Sequence, residues 1–162
     1  MADVREMLGR IDRSGEQVVA VFDRHYDTSP SDLWEACTDP VRLERWFAPV
    51  SGELRPDGDF TIHFDDEDSP RCRVVTCEAP RLLVWEWPHG EVRSLVTVEV
   101  TGAGEGAWLG LRHERLTPAQ GAGYAAGWDT YLRCLDAELA GDPAPDWADT
   151  WGGLNELYAA EL

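Results

Sequence analysis

The feature that most constrains this chain is a change of period. Between Val50 and Leu116 the apolar residues recur at every second position in short runs, and after Thr117 they recur every three to four. The period-two runs are VSGEL (50–54), DFTIHF (59–64), RCRVVTCE (71–78), RLLVWEW (81–87), EVRSLVTVEV (91–100) and AWLGLRHERL (107–116). The links between them, such as RPDG, the acidic DDEDSP, AP, PHG and TGAGEG, are rich in turn residues. Consecutive strands joined by short turns pair as hairpins, so this stretch reads as an antiparallel meander. A meander with one apolar face must cover that face with another element. The element that follows is long enough: TPAQ gives Thr117 as a cap, Pro118 at the first helical position and Gln120 completing a capping box. Tyr124, Trp128, Tyr131, Leu135 and Leu139 then form an apolar stripe up to Gly141.

The segments around this unit complete a pattern. VVAVFDRHY (18–26) is rich in β-branched and aromatic residues and reads as a strand. Ser29-Pro30 and Asp39-Pro40 each open a short helix with a capping side chain and a proline at the first position. The second ends in two large apolar rings, Trp46 and Phe47, on a helix too short to stand alone. Val4, Met7, Leu8 and Ile11 predict an N-terminal helix over 3–12, broken by RSGEQ. Trp147, Trp151, Leu154, Leu157 and Tyr158 predict a tail helix over about 146–160. The order β-α-α-β5/6-α predicts an α+β domain occupying 1–162, with its core over about 18–140. Its curled antiparallel sheet wraps a long C-terminal helix, the first strand pairs at the far edge of the sheet, and extra short helices lie at both termini.

Composition excludes several functions. A length of 162 residues with 43% hydrophobic content suits one packed domain. No apolar run reaches membrane-spanning length, and MADVREMLGRID lacks the apolar core of a signal peptide, so the expected location is the cytoplasm. The formal net charge of −17, with arginine supplying all 14 basic residues, argues against nucleic acid and membrane surfaces as partners. Without lysine there is no side chain for Schiff-base chemistry. Cys37, Cys72, Cys77 and Cys134 form no CxxC pair and read as free thiols, so no metal site and no cofactor is expected. The sequence also lacks a nucleophile elbow, a phosphate loop, a dinucleotide fingerprint and a zinc-protease motif, and it offers no catalytic set.

The order and spacing of four stretches resemble a known family. These are DTSPSDLWEACTDPVRLERWF, CEAPRLLVWEW, the pair SLVTVEV and WLGLRHE, and GWDTYLRCL, which together span about 18–140. They resemble the START-like superfamily (Bet v 1-like, SRPBCC), and within it the family named for the activator of heat-shock protein 90 ATPase. The resemblance implies a helix-grip fold with an elongated apolar cavity between the long helix and the sheet. Trp46 and Phe47 would then close the wide end of that cavity.

Strand alternation assigns the walls. Phe60, Ile62 and Phe64 share one face, as do Leu83, Trp85 and Trp87; Val92, Ser94, Val96, Val98 and Val100; and Leu109, Leu111 and His113. Trp46, Tyr124, Trp128 and Tyr131 would form a lid. The ligand-binding set expected is therefore Trp46, Phe60, Ile62, Phe64, Trp85, Trp87, Val96, Val98, Leu111, His113, Tyr124, Trp128 and Tyr131. Stripes of this kind are most often plain core; eight tryptophans in a chain of this size tilt the set toward a pocket. His113 stands out as a polar group on an apolar face, whereas Glu86 reads as solvated. The parity of 18–26 leaves Arg24 and His25 unassigned. Three functions follow. The first is non-enzymatic binding of a small apolar or aromatic molecule in a closed pocket of several hundred Å³. The second is a cyclase, dehydratase or hydrolase using His113, Glu86 or a buried tyrosine. The third is a chaperone ATPase regulator, as the family name suggests, with the acidic surface as a docking face. A homodimer through the tail helix is left open.

Overall fold

The structure, a computed structural model, describes residues 9–65, 67–89 and 92–161. The chain runs β1 (Arg10–Ser14), β2 (Gln17–Tyr26), α1 (Pro30–Thr38), α2 (Pro40–Trp46), β3 (Val50–Gly52), β4 (Asp59–Ile62), β5 (Arg71–Glu78), β6 (Leu82–His89), β7 (Val92–Ala103), β8 (Gly106–Leu116), α3 (Pro118–Ala140) and α4 (Trp147–Ala159). All eight strands lie in one antiparallel sheet ordered β1-β2-β8-β7-β6-β5-β4-β3. The meander from β3 to β8 is as the alternation predicts, and β2 returns to pair β8; the edge itself is not β2, as expected, but β1, which pairs along its outer side. This is the helix-grip arrangement: the sheet curls around α3, and α1 and α2 close one end.

Local chemistry sets the helix ends. The Ser29 and Asp39 side chains accept backbone N–H bonds from Asp32 and Val41 at 3.1 and 3.0 Å, with prolines in the first turns. Thr117 and Gln120 form the reciprocal capping box on α3, and Gly141 ends it in the left-handed conformation with φ 75°. β8 carries a bulge where Val18 pairs Leu116 but Ala20 pairs His113; Arg115 there has φ 64°. Such a bulge bends the strand and helps the sheet wrap.

The N-terminal helix over 3–12 needs correction. Residues 3–8 of that expectation lie outside the described residues, and Arg10 to Asp12 belong to β1. Ile11 pairs Ala20, and Ser14 pairs Gln17 across a two-residue turn at Gly15 (φ 64°). The Ser-Gly-Glu step is a hairpin turn, not a helix break. Val92, placed on the inner face by alternation, is 56% exposed at the start of β7.

Candidate functional site

Four elements send aromatic rings to one end of the grip. From α2 and the residue after it come Trp46 and Phe47; from the β4–β5 hairpin, Phe64; from β6, Trp85 and Trp87; from α3, Tyr124, Trp128 and Tyr131. Trp46 is fixed by its indole N–H, which donates to the Ala36 carbonyl at 2.8 Å. Phe47 lies face to face with Trp128, with centroids 5.4 Å apart and planes 7° apart. It also meets Phe64 and Tyr131 edge-on. Trp85 and Trp87 stack on each other, and Phe64 stacks on Trp87.

This packing leaves two spaces. The inner one measures about 40 Å³ and is walled by Trp46, Phe60, Trp85, Val98, Leu111 and Trp128, with Cys37, Leu43, Val50, Leu54, Leu83 and Leu109. The outer one is a groove of about 530 Å³ that opens to solvent. Phe64, Trp87, Tyr124, Trp128 and Tyr131 line it, joined by Trp147 and Trp151 of α4. Phe47 and Trp128 border both spaces, so their stacked pair is the partition between them. The closed pocket of several hundred Å³ expected from the sequence is thus divided: side chains fill most of the interior, and the larger volume lies at the mouth. Ile62, Val96 and His113 line neither space; the first two are fully buried wall residues.

His113 sits behind the groove wall, fully buried. Trp128 Nε1–H donates to His113 Nδ1 at 3.0 Å, and an indole N–H cannot accept. Nδ1 therefore carries no proton, and Nε2–H donates to Ser94 Oγ at 2.8 Å. Ser94 in turn donates to the Trp87 carbonyl at 3.1 Å. The chain fixes one neutral imidazole tautomer and holds Trp87 and Trp128, two of the four tryptophans that line the groove. His113 is thus a positioning group for Trp87 and Trp128. Glu86 is on the opposite face of β6, 3.4 Å from Arg93.

A second buried network ties α4 to the domain. Asp129 of α3 is fully buried; its Oδ1 accepts from Arg24 at 2.7 Å and from Arg133 at 2.9 Å. Its Oδ2 accepts from the Tyr158 hydroxyl at 2.6 Å, and that hydroxyl accepts from the Gly9 backbone N–H at 2.7 Å. Arg24 thus faces inward, and His25 faces outward against Trp108. Burial and the neighbouring Asp129 carboxylate push the Tyr158 phenol far above its ordinary value. Two turns of α4 away, Trp151 Nε1–H donates to the Gly123 carbonyl at 3.1 Å. The indole rests over Gly123 and Gly127, where a Cβ would meet it at 3.9 and 4.0 Å. These glycines cost α3 helix propensity and leave the groove floor open.

Around the groove, burial pushes Tyr124 and Tyr131 up to about 12, with the Asp68 carboxylate adding in the same direction. Sequence reasoning missed Asp65, Asp68, Gln120, Trp147 and Trp151 as lining residues. The aromatic spacing of the tail helix was visible, but nothing in the sequence placed that helix beside α3. Among the described residues no group of three metal-ligating side chains converges, and no helix is long and apolar enough to cross a membrane.

Comparison with known proteins agrees with this architecture. The crystal structure of CalU16 from Micromonospora echinospora is 29% identical, with a TM-score of 0.79 over 95% of this chain and 94% of that one. A protein of Bordetella parapertussis, solved in solution, is 26% identical, with a TM-score of 0.75 over 93% and 88%. DynU16, from the dynemicin biosynthetic locus, is 23% identical with a TM-score of 0.71 over 80% of this chain and 50% of that one, a likeness of fold alone. No functionally curated protein matches. The profile of the family described as activator of Hsp90 ATPase homolog 1-like protein matches residues 27–140, most of the chain, and the protein belongs to that family.

Proposed function

We propose that the protein binds a small apolar, ring-bearing molecule in the groove at the mouth of the grip and does so without catalysis, as a carrier or sensor. The observation that carries this reading is the 530 Å³ groove walled by Phe47, Phe64, Trp87, Trp128, Tyr131 and Trp151. Its volume falls in the range of small-molecule sites, and aromatic walls with few polar groups suit an apolar guest. Such a groove also answers why Phe47 ends a helix of only seven residues: its ring is a wall, held by stacking on Trp128.

The catalytic alternative needs polar groups converging on the guest. His113 is committed to Trp128 and Ser94, and Glu86 is on the outer face. Tyr124 and Tyr131 do reach the groove, but with phenols raised to about 12 they are weak acids at neutral pH. The family's description names an activator of the Hsp90 ATPase; the groove favours a small guest over a chaperone.

Native mass spectrometry of freshly purified protein, with organic extraction of any bound molecule, tests this reading. A titration with N-phenyl-1-naphthylamine followed by tryptophan fluorescence accompanies it. A stoichiometric guest released unchanged, or saturable probe binding weakened in Trp151→Ala, supports the reading. A protein that arrives empty and binds no apolar probe overturns it.

A further inference from the structure

The groove has an electrostatic sense as well as an apolar one. Among the described residues its lining contains no arginine and no histidine, although the chain carries 14 arginines. It does contain two carboxylates, Asp65 and Asp68, both on the β4–β5 hairpin tip beside Phe64. Asp65 is held in place: its Oδ1 accepts the backbone N–H groups of Glu67 and Asp68, each at 2.7 Å. Asp68 has no ion-pair partner among the described residues, and its charge is felt by the Tyr124 and Tyr131 phenols across the groove. Behind this rim lie the ring faces of Phe64, Trp87 and Tyr131, stacked in series.

We propose that the guest of this groove is an aromatic amine in its ammonium form, with its rings among Phe64, Trp87 and Tyr131 and its charge at the rim beside Asp65 and Asp68. The proposal rests on the groove being the binding site and adds the charge of the guest. A cation gains from ring faces and from nearby carboxylates together. An anion of the same shape meets two like charges and no compensating base. The whole chain's charge of −17 adds a long-range field of the same sign, which speeds the approach of cations.

A matched series separates the two readings: 2-naphthylmethylamine, 2-naphthylmethanol and 2-naphthylacetate, titrated by calorimetry at neutral pH. The amine is expected to bind about fivefold or more tightly than the alcohol, and the acetate more weakly than either. The ratio of amine to alcohol affinity is expected to fall at least about threefold in Asp65→Asn/Asp68→Asn. Glu105→Gln, at the distant β7–β8 turn, removes one charge from the chain and should leave that ratio in place. High salt on the wild-type protein provides the same readout without a substitution, since exposed charges are screened within about 8–10 Å at ordinary ionic strength. If the alcohol binds and the amine binds no more tightly, or if the ratio survives in the double variant, the inference falls and the apolar groove stands. If none of the three binds, the groove reading itself fails and takes this inference with it.

Discussion

Gly123 and Gly127 offer a test in which stability and binding should move in opposite directions. Both lie in the interior of α3, where glycine is about 0.8–1.0 kcal/mol less favourable than alanine. A Cβ at either position would meet Trp151 at 3.9 and 4.0 Å, ordinary contact distances, so no overlap offsets the gain. Gly123→Ala/Gly127→Ala is therefore expected to stabilise the fold by about 1.5–2 kcal/mol. With a urea slope of about 2 kcal/mol per molar, the unfolding midpoint rises by about 0.8–1 M. The same two methyl groups stand on the groove floor. A methylene-sized intrusion in an apolar site weakens a fitted ligand about tenfold or more. The assay pairs urea unfolding, read by tryptophan fluorescence, with calorimetric binding of 2-naphthylmethanol. A variant that gains stability and binds as before would show that the glycines are not kept for the groove. A variant that loses stability would show that Trp151 packs on α3 more tightly than the contact distances allow.

Four further outcomes follow from the buried chemistry. Tyr158→Phe keeps the ring but leaves Asp129 Oδ2 and the Gly9 N–H without their partner; it should cost about 2–3 kcal/mol by urea unfolding, and its effect should not add to that of Asp129→Asn. Burial raises the phenols of Tyr26, Tyr124, Tyr131 and Tyr158 above the unfolded value of about 10. Their contribution to stability is therefore whole below about pH 10 and is lost as pH rises through the folded values, so tyrosinate absorbance should appear together with unfolding. Burial pushes the Cys37 and Cys72 thiols up to about 12, so in the native protein both should resist a thiol reagent that labels the part-exposed Cys77, and both should react after denaturation. Phe47→Ala removes the partition between the two spaces; it should cost about 2–3 kcal/mol and shift preference from naphthalene-sized toward longer biphenyl-sized probes in calorimetry.

Much of the fold was legible because it rests on periodicity and caps. Alternation from Val50 to Leu116 marks a meander of five or six strands, of which the structure forms six, and Thr117, Pro118 and Gln120 mark the start of α3 to the residue. The hairpin from Arg10 is hidden in the sequence because Ile11 completes a helical period with Val4, Met7 and Leu8, while the deciding signal is the turn at Gly15. The site was legible only as far as one element at a time allows. Phe64, Trp87, Tyr124, Trp128 and Tyr131 were assigned from their own faces and do meet in the groove. Trp147 and Trp151 reach it because α4 docks on α3 through Asp129 and Tyr158, a long-range contact with no local signature. His113 is visible in the sequence as a polar group on an apolar face, but its neighbours Trp128 and Ser94 come from other elements, so its contacts have no sequence signal. Arg24 has no face in the sequence because Val18 to Phe22 are apolar without a break and all buried, so β2 shows no alternation from which to set one.

The sheet is not a closed barrel; it ends on β1 and on β3. Open edges invite strand addition from another copy, the first step toward aggregation. Here the two edges resist it differently. β1 presents Arg10, Asp12 and Arg13 to solvent, so a second strand would have to lie along charged side chains. β3 is three residues long and stops at Gly52, whose φ of 108° turns the backbone out of the extended line. Neither edge offers a flat apolar template. A protein with an aromatic groove open to solvent can therefore be handled at high concentration without its sheet becoming the sticking point.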